Sequence, residues 1–183
     1  MLAALESFSQ LGYHGASTRD VATRANMSPA AVYIRFQSKA EMLQEISVAG
    51  HTDLLDVVKA ASEIDADARD RLESVLAALV EWHAMHYQLA RVLHYEFEAL
   101  ESEARHVVMG IRTDVEDRLR ILLNQAMDQH KIGQNALNLR LQMVWSTVID
   151  VARWFPAADV ASAKELGRSY SSAWLLMLGV TTA

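Results

Sequence analysis

Arg19, Tyr33 and Lys39 fall in one short stretch and carry side chains that hydrogen-bond to phosphates and base edges. An arginine fork can reach a guanine edge, a tyrosine hydroxyl a phosphate or base edge, and a lysine ammonium a backbone phosphate. The ordinary alternatives are a solvated arginine, a half-buried tyrosine and a surface lysine. Pro29, Ala30 and Ile34 lie between them. They donate almost no hydrogen bonds, so any base contact they make is apolar, with thymine methyls. Ser17, Thr18 and Ser28 stand at expected helix starts, where amide groups favour phosphate. These nine positions form the candidate nucleic-acid-facing set. Arg19 and Tyr33 are expected to supply most of its polar readout.

The elements that must position these residues lie in 12–43, GYHGASTRDVATRANMSPAAVYIRFQSKAEML. Gly12 and Gly15 permit the backbone reversal that ends a first helix. Ser17 caps a second helix, and Asp20 favours its positive end. Val21, Ala22 and Ala25 give that helix one apolar edge. Asn26 sits where the turn needs a residue tolerant of positive φ. Ser28 caps a third helix with Pro29 at its first position. Val32 and Phe36, four apart, can pack on the first two helices. Ser38 and Glu41 form a capping box that opens a longer fourth helix. Two short helices joined by a tight turn are the layout of a helix-turn-helix.

Gly12 through Ser17, Asp20-Val21-Ala22, Ala25-Asn26-Met27-Ser28, Val32-Tyr33, Phe36 and Ser38-Lys39 together resemble the DNA-binding domain of TetR-type transcriptional regulators. The likeness covers about the first 45 residues at fixed spacing. In two places the sequence departs from the family pattern. Asn26 replaces the usual turn glycine, and the sequence starts inside what should be helix 1, without the basic arm common in the family.

Composition agrees with a helical regulator. A chain of 183 residues that is 51% apolar can bury a substantial core. Two prolines and seven glycines are too few for a turn-rich β protein. The absence of cysteine excludes disulfides and thiolate chemistry. The sequence shows no signal peptide and no apolar run near the length of a membrane span, so a cytoplasmic protein is expected. The net charge of −6 lies outside the first 45 residues. There Arg19, Arg24, Arg35 and Lys39 balance Glu6, Asp20, Glu41 and Glu45. A neutral head binds DNA through helix N-termini and a few placed cations, so dimerisation should matter.

Beyond a head at 1–45, residues 46–183 read as a helical ligand-binding and dimerisation domain, giving an all-α protein of about nine helices. Expected helices span 38–61, 66–86, 87–100, 102–131, 135–155 and 162–179. Gly133 is a plausible C-cap, Pro156 a stop, and Ser162 with Glu165 a second capping box. The second of these helices shows the stripe Leu72, Val75, Leu76, Leu79, Trp82, His83 and His86. In the last two helices one stripe holds Leu137, Leu141, Val144, Trp145 and Val148, with Val151 on a second. One face holds Leu166, Tyr170, Ala173, Trp174 and Met177, with Leu175 and Leu176 beside it. Apolar residues on two sides imply burial against the chain itself and against a partner. A two-fold four-helix bundle satisfies both, with Leu141, Val148, Trp154, Tyr170, Trp174, Leu175 and Leu176 as interface candidates. The resemblance implies the same homodimer. Its recognition helices would sit ~34–36 Å apart, or a multiple, on a palindromic operator.

The segment 82–95, WHAMHYQLARVLHY, gathers residues able to line a mostly apolar pocket with a few orienting polar groups. Candidate ligand contacts are Trp82, His83, His86, Tyr87, Arg91, His94, Tyr95, Met109, Arg112, Met143, Trp145, Ile149 and Arg153. The alternative is a core with interspersed surface histidines. Gly110, inside a long helix, marks a close approach, a bend or plain packing. A second resemblance rests on Glu96, Leu100, Arg112, Gly133 and Arg153-Trp154-Phe155. These segments are similar to the TetR branch that responds to acyl-CoA thioesters of fatty-acid and steroid breakdown. That likeness implies a small hydrophobic ligand, with Arg153 either facing a CoA phosphate or serving as a capping or surface arginine near a helix C-terminus. Ile149 and Trp145 stand one and two turns before Arg153, where a CoA binder is expected to place polar or basic groups. A lipid, sterol or drug-like hydrophobe therefore stays open.

The competing class is a helical-bundle metal protein or enzyme using His83, His86, Glu103 and His106. It needs paired Glu-x-x-His motifs, and only Glu103-x-x-His106 is present. No Gly-x-Ser-x-Gly elbow supports hydrolase chemistry. The expectation is a regulator without enzymatic activity or cofactor, releasing DNA when a ligand binds.

Overall fold

The computed structural model describes residues 1–127, 133–155 and 160–180. Among these residues it holds nine α-helices and no strand. They are α1 (Leu2–Gly15), α2 (Thr18–Arg24), α3 (Pro29–Arg35), α4 (Lys39–Ser62), α5 (Ala68–Met85), α6 (Tyr87–Tyr95), α7 (Ser102–Ala126), α8 (Gln134–Trp154) and α9 (Val160–Leu178). A single 3₁₀ turn, Phe97–Ala99, joins α6 to α7.

The chain divides into two compact units. The head comprises Met1–Thr52 with Gln88–Gly110, and the body comprises Asp53–Tyr87 with Ile111–Ala183. The long helices α4 and α7 each contribute to both. The head is therefore discontinuous in sequence. Its core joins Ala4, Phe8, Val21, Ala22, Val32 and Phe36 to Met42, Leu43 and Ile46 of α4, and adds Val92, Leu100, Ala104 and Val108. Gly50 allows α4 to approach α6 closely: a Cβ there would lie 2.9 Å from Leu93.

In the body α5 is the central element, packed on α8 and α9. Its expected stripe is buried from Leu72 through His83, while His86 turns out to solvent. The inner face of α9 is Ala163, Gly167, Ser171, Trp174, Leu175 and Leu178. Gly167 explains the close packing, since a Cβ there would sit 2.8 Å from the Ala77 carbonyl oxygen of α5.

Several boundaries differ from the sequence reading, each for a local reason. Gly12 takes φ 72° inside α1, so the helix kinks there and continues to Gly15. Gly133 is an N-cap with extended backbone that opens α8, not a C-cap. Ser162 and Glu165 fall inside α9, which starts at Val160, so they do not box its N-terminus. Glu41 accepts from the Gln37 amide rather than from Ser38, although Ser38 does cap Glu41 at 3.0 Å. Gly110 meets nothing within 4 Å, so it marks no close approach. Pro156 and the expected helix end at Lys131 lie outside the described residues.

Candidate nucleic-acid interface

The α2–α3 pair is shaped by its caps. Ser17 and Asp20 exchange side-chain and backbone hydrogen bonds in a complete capping box. Hydrogen bonds from Ser17 hold the Asp20 carboxyl below the usual carboxylate range. At the other end α2 stops in a Schellman motif. Met27 N–H donates to the Ala22 carbonyl at 2.9 Å and Asn26 N–H to the Thr23 carbonyl at 3.1 Å. Asn26 supplies the left-handed residue this motif needs, with φ 53°. Ser28 then accepts from the Ala31 amide at 3.2 Å, and Pro29 opens α3.

Only Val32 of α3 is buried. Pro29, Ala30, Tyr33 and Ile34 are exposed, Ile34 by 88%. Together the four present one apolar-rich outward face, and it is such a grouped face, not one exposed side chain, that marks an interaction surface. The Tyr33 and Thr18 hydroxyls are bonded to each other at 2.9 Å, tying α2 to α3 across their outer edge. Ser17 and Ser28 use their hydroxyls as caps. They therefore shape the helix starts that would receive phosphate.

The cations divide into tethered and free. Arg24 is held by Glu6 at 3.3 Å and Gln10 at 2.7 Å. Arg35 faces Glu45 at 3.7 Å. Arg19 is exposed and makes no ion pair among the described residues. Lys39 has partners the sequence did not suggest. Its ammonium donates to the Tyr13 and Ala16 carbonyls at 2.7 and 2.9 Å and lies 4.3 Å from the Tyr13 ring centre. It ties α4 to the end of α1, keeps its charge unneutralised, and leaves one of its three hydrogens for a phosphate. The Tyr13 hydroxyl is pushed up in pKa by burial and then by Glu101.

The thirteen ligand candidates are distributed over both units. Trp82, His83, His86 and Tyr87 belong to the body; Arg91, His94, Tyr95 and Met109 belong to the head. In the body, Trp82 donates to Asp53 at 2.6 Å, a partner the sequence did not single out. His83 is fully buried and donates to the Leu79 carbonyl at 2.7 Å; burial lowers its pKa to about 4. His86 lies 5.1 Å from the Trp82 ring. In the head, Arg91 and Tyr95 line a cleft of about 250 Å³ with Phe8, Gln10 and Gly12. Of the remaining body candidates, Arg112, Trp145 and Ile149 are half-buried and Met143 is exposed. Arg153 pairs with Asp150 at 3.0 Å.

Burial revises the partner-face assignment. Leu141, Val148, Trp174 and Leu175 are spent in the body's own core. Among the described residues the exposed large apolar side chains of α8 and α9 are Leu139, Met143, Trp154, Leu176 and Met177, with Tyr170 half-buried. No cluster of three or more suitable metal ligands occurs among the described residues.

Two capped helices joined by a tight turn, the second with an exposed, apolar-rich face, define a helix-turn-helix DNA-binding module. Comparison with known proteins makes the class specific. Residues 1–46 match the family described as bacterial regulatory proteins, tetR family, and residues 65–178 match the tetracyclin repressor-like C-terminal domain. The chain belongs to the TetR family and is a transcriptional regulator rather than an enzyme. A tetR-family regulatory protein of known structure from Rhodococcus RHA1 is 31% identical, with a TM-score of 0.88 covering 99% of this chain and 95% of that one. The HTH-type transcriptional repressor KstR2 of Mycobacterium tuberculosis is 25% identical over 190 residues, 97% of this chain and 89% of that protein. AibR, solved in complex with isovaleryl coenzyme A and operator DNA, shares the fold, with a TM-score of 0.77 at 18% identity covering 98% of each chain. No helix among the described residues is long and apolar enough to cross a membrane.

Proposed function

We propose that this regulator is a cytoplasmic homodimeric repressor released from a palindromic operator by a small hydrophobic ligand, an acyl-CoA being the favoured class. The observation that carries the DNA assignment is the outward face of α3. Pro29, Ala30, Tyr33 and Ile34 are exposed together, beside the ungripped Arg19. Residues 1–45 carry the DNA contacts and 46–183 the ligand and partner contacts. Ser17, Thr18 and Ser28 position phosphate at helix starts, and Lys39 offers its remaining hydrogen to a backbone phosphate.

The exposed apolar residues of α8 and α9 support a two-fold bundle with a second copy. The acyl-CoA class is supported by the liganded fold relative and by the Arg153 region of α8. Trp82, Met143, Trp145 and Ile149 are the apolar candidates for the acyl part. Ligand binding favours a head separation that no longer matches successive major grooves.

The test begins by selecting a binding sequence from a random duplex library, followed by mobility shifts at fixed salt. The selected site should be palindromic. Arg19→Ala with Tyr33→Phe should weaken binding about tenfold or more, at roughly 1–3 kcal/mol per specific contact. Unchanged affinity in the double variant would sink the assigned readout. An acyl-CoA that leaves the protein–DNA complex intact would remove the ligand class.

A further inference from the structure

Among the described residues three arginines bury an Nε without a hydrogen-bond partner: Arg69, Arg71 and Arg105. Two of them are neutralised all the same. Arg69 meets Asp70 at 2.9 Å and Glu73 at 3.3 Å, and Arg105 meets Glu98 at 3.3 Å. Arg71 has no carboxylate partner among the described residues. Its one side-chain contact is a long 3.5 Å bond to the Gln125 carbonyl oxygen. Arg118 is in the same condition, with a single 3.5 Å contact to the Ser62 hydroxyl. Each has an aspartate one helical turn earlier, Asp67 and Asp114, yet neither pair forms. Asp67 is occupied capping α5.

These two guanidinium groups line one cleft in the body, at the end of α4, the first turns of α5 and the last turns of α7. Ser62, Gln125 and Glu63 complete its polar wall. Glu63 is exposed to solvent, so two half-buried positive charges face one hydrated negative charge. Two guanidinium groups that form no ion pair among the described residues, one with an orphaned buried donor, are unfavourable in a partly desolvated wall. An anion relieves both costs. The cleft holds about 180 Å³, room for roughly six waters and too small for a whole drug-sized ligand. Two planar donor forks, a hydroxyl and a carboxamide suit the several oxygens of phosphate better than one carboxylate. Arg118 and Ile121 also border an adjoining cleft of about 420 Å³, with Lys59, Asp114 and Asp117. That leaves space for the organic remainder of a phosphate ester.

We propose that this cleft is a phosphate-binding site of the body, with Arg71 and Arg118 as its anion-binding residues. It is independent of the operator-binding reading, which can stand or fall without it. The test is pyrophosphate binding to the whole protein. Melting temperatures are compared in sodium pyrophosphate and in sodium chloride of equal ionic strength, and affinity is then measured by calorimetry. Pyrophosphate should stabilise the protein beyond the salt control. Arg71→Gln and Arg118→Gln should each weaken its binding about tenfold or more, as expected for losing a hydrogen bond to a charged group. Arg69→Gln removes a nearby charge that is already paired and should leave binding unchanged.

Coenzyme A, titrated in parallel, separates the sources. Tighter binding than pyrophosphate with the same arginine dependence means the phosphate arrives on a larger ligand. Binding of pyrophosphate alone means a free anion. Stabilisation by neither probe in the unaltered protein, or binding that persists in both glutamine variants, would overturn the assignment. If the glutamine variants fail to fold, Arg71→Lys and Arg118→Lys retain charge and stem, and a smaller loss is expected from each.

Discussion

The α3 helix and the α9 helix use opposite strategies. α3 is seven residues long and buries only Val32. It is held by hydrogen bonds at its ends and by the Thr18–Tyr33 bridge, which leaves its outward face available. α9 is nineteen residues long and is held by small residues that let it press against α5. One helix is fixed by capping chemistry, the other by shape. The contrast teaches where substitutions should hurt: the reading element through its ends, the body through its packing.

The largest effect should come from acid acting on the body. His83 is buried neutral, with a pKa lowered to about 4. The unfolded chain binds a proton near pH 6.5 and the folded chain does not until about 4, so stability is full above 6.5 and lost as pH falls toward 4. The loss from this residue should approach about 3 kcal/mol. Denaturant titrations at pH 7 and pH 4.5 should show it, and His83→Asn, which keeps a donor for the Leu79 carbonyl, should flatten the slope. An equally steep slope in that variant would place the acid sensitivity elsewhere.

Next in size is Gly167→Ala. A Cβ 2.8 Å from a backbone oxygen forces α9 away from α5, at about 1–3 kcal/mol. Gly110→Ala is the matched control, because that Cβ meets open space. It should raise stability by up to about 1 kcal/mol. If both substitutions shift the denaturation midpoint alike, shape does not hold α9.

The smallest effect tests the head. Asn26→Ala puts an ordinary residue at φ 53° and should cost about 1 kcal/mol, whereas Asn26→Gly should be neutral or slightly stabilising. Thermal melts of both variants decide it. An alanine variant as stable as the glycine variant would mean that the turn is not set by backbone preference.

The same contrast explains what could be read from the sequence. Ser17, Asn26, Ser28 and Pro29 act on groups within a few residues, so the helix-turn-helix was legible from type and spacing. So was the buried stripe of α5. The phase of α9 was not. The first half of its inner face is Ala163, Gly167 and Ser171, small residues that carry little hydrophobic signal. The sequence reading set Leu175 and Leu176 together beside one face, but about 100° separates neighbours on a helix, and the structure buries Leu175 and exposes Leu176. Lys39 was legible as a placed cation, but its two carbonyl partners come from 23 and 26 residues earlier. Arg71 and Arg118 each have an aspartate at the ordinary pairing distance, so nothing in the sequence marks them as unpaired.

The return of 88–110 to the head carries a consequence for recombination. A chimaera that grafts residues 1–45 onto a foreign sensor inherits every cap of α2 and α3 but none of Val92, Leu100, Ala104 or Val108. The donor must bring its own version of that inner wall, or the grafted reader opens along one seam. Exchange between such regulators is therefore constrained at two crossover points, one in α4 and one near Gly110, and a single splice behaves as half a transplant.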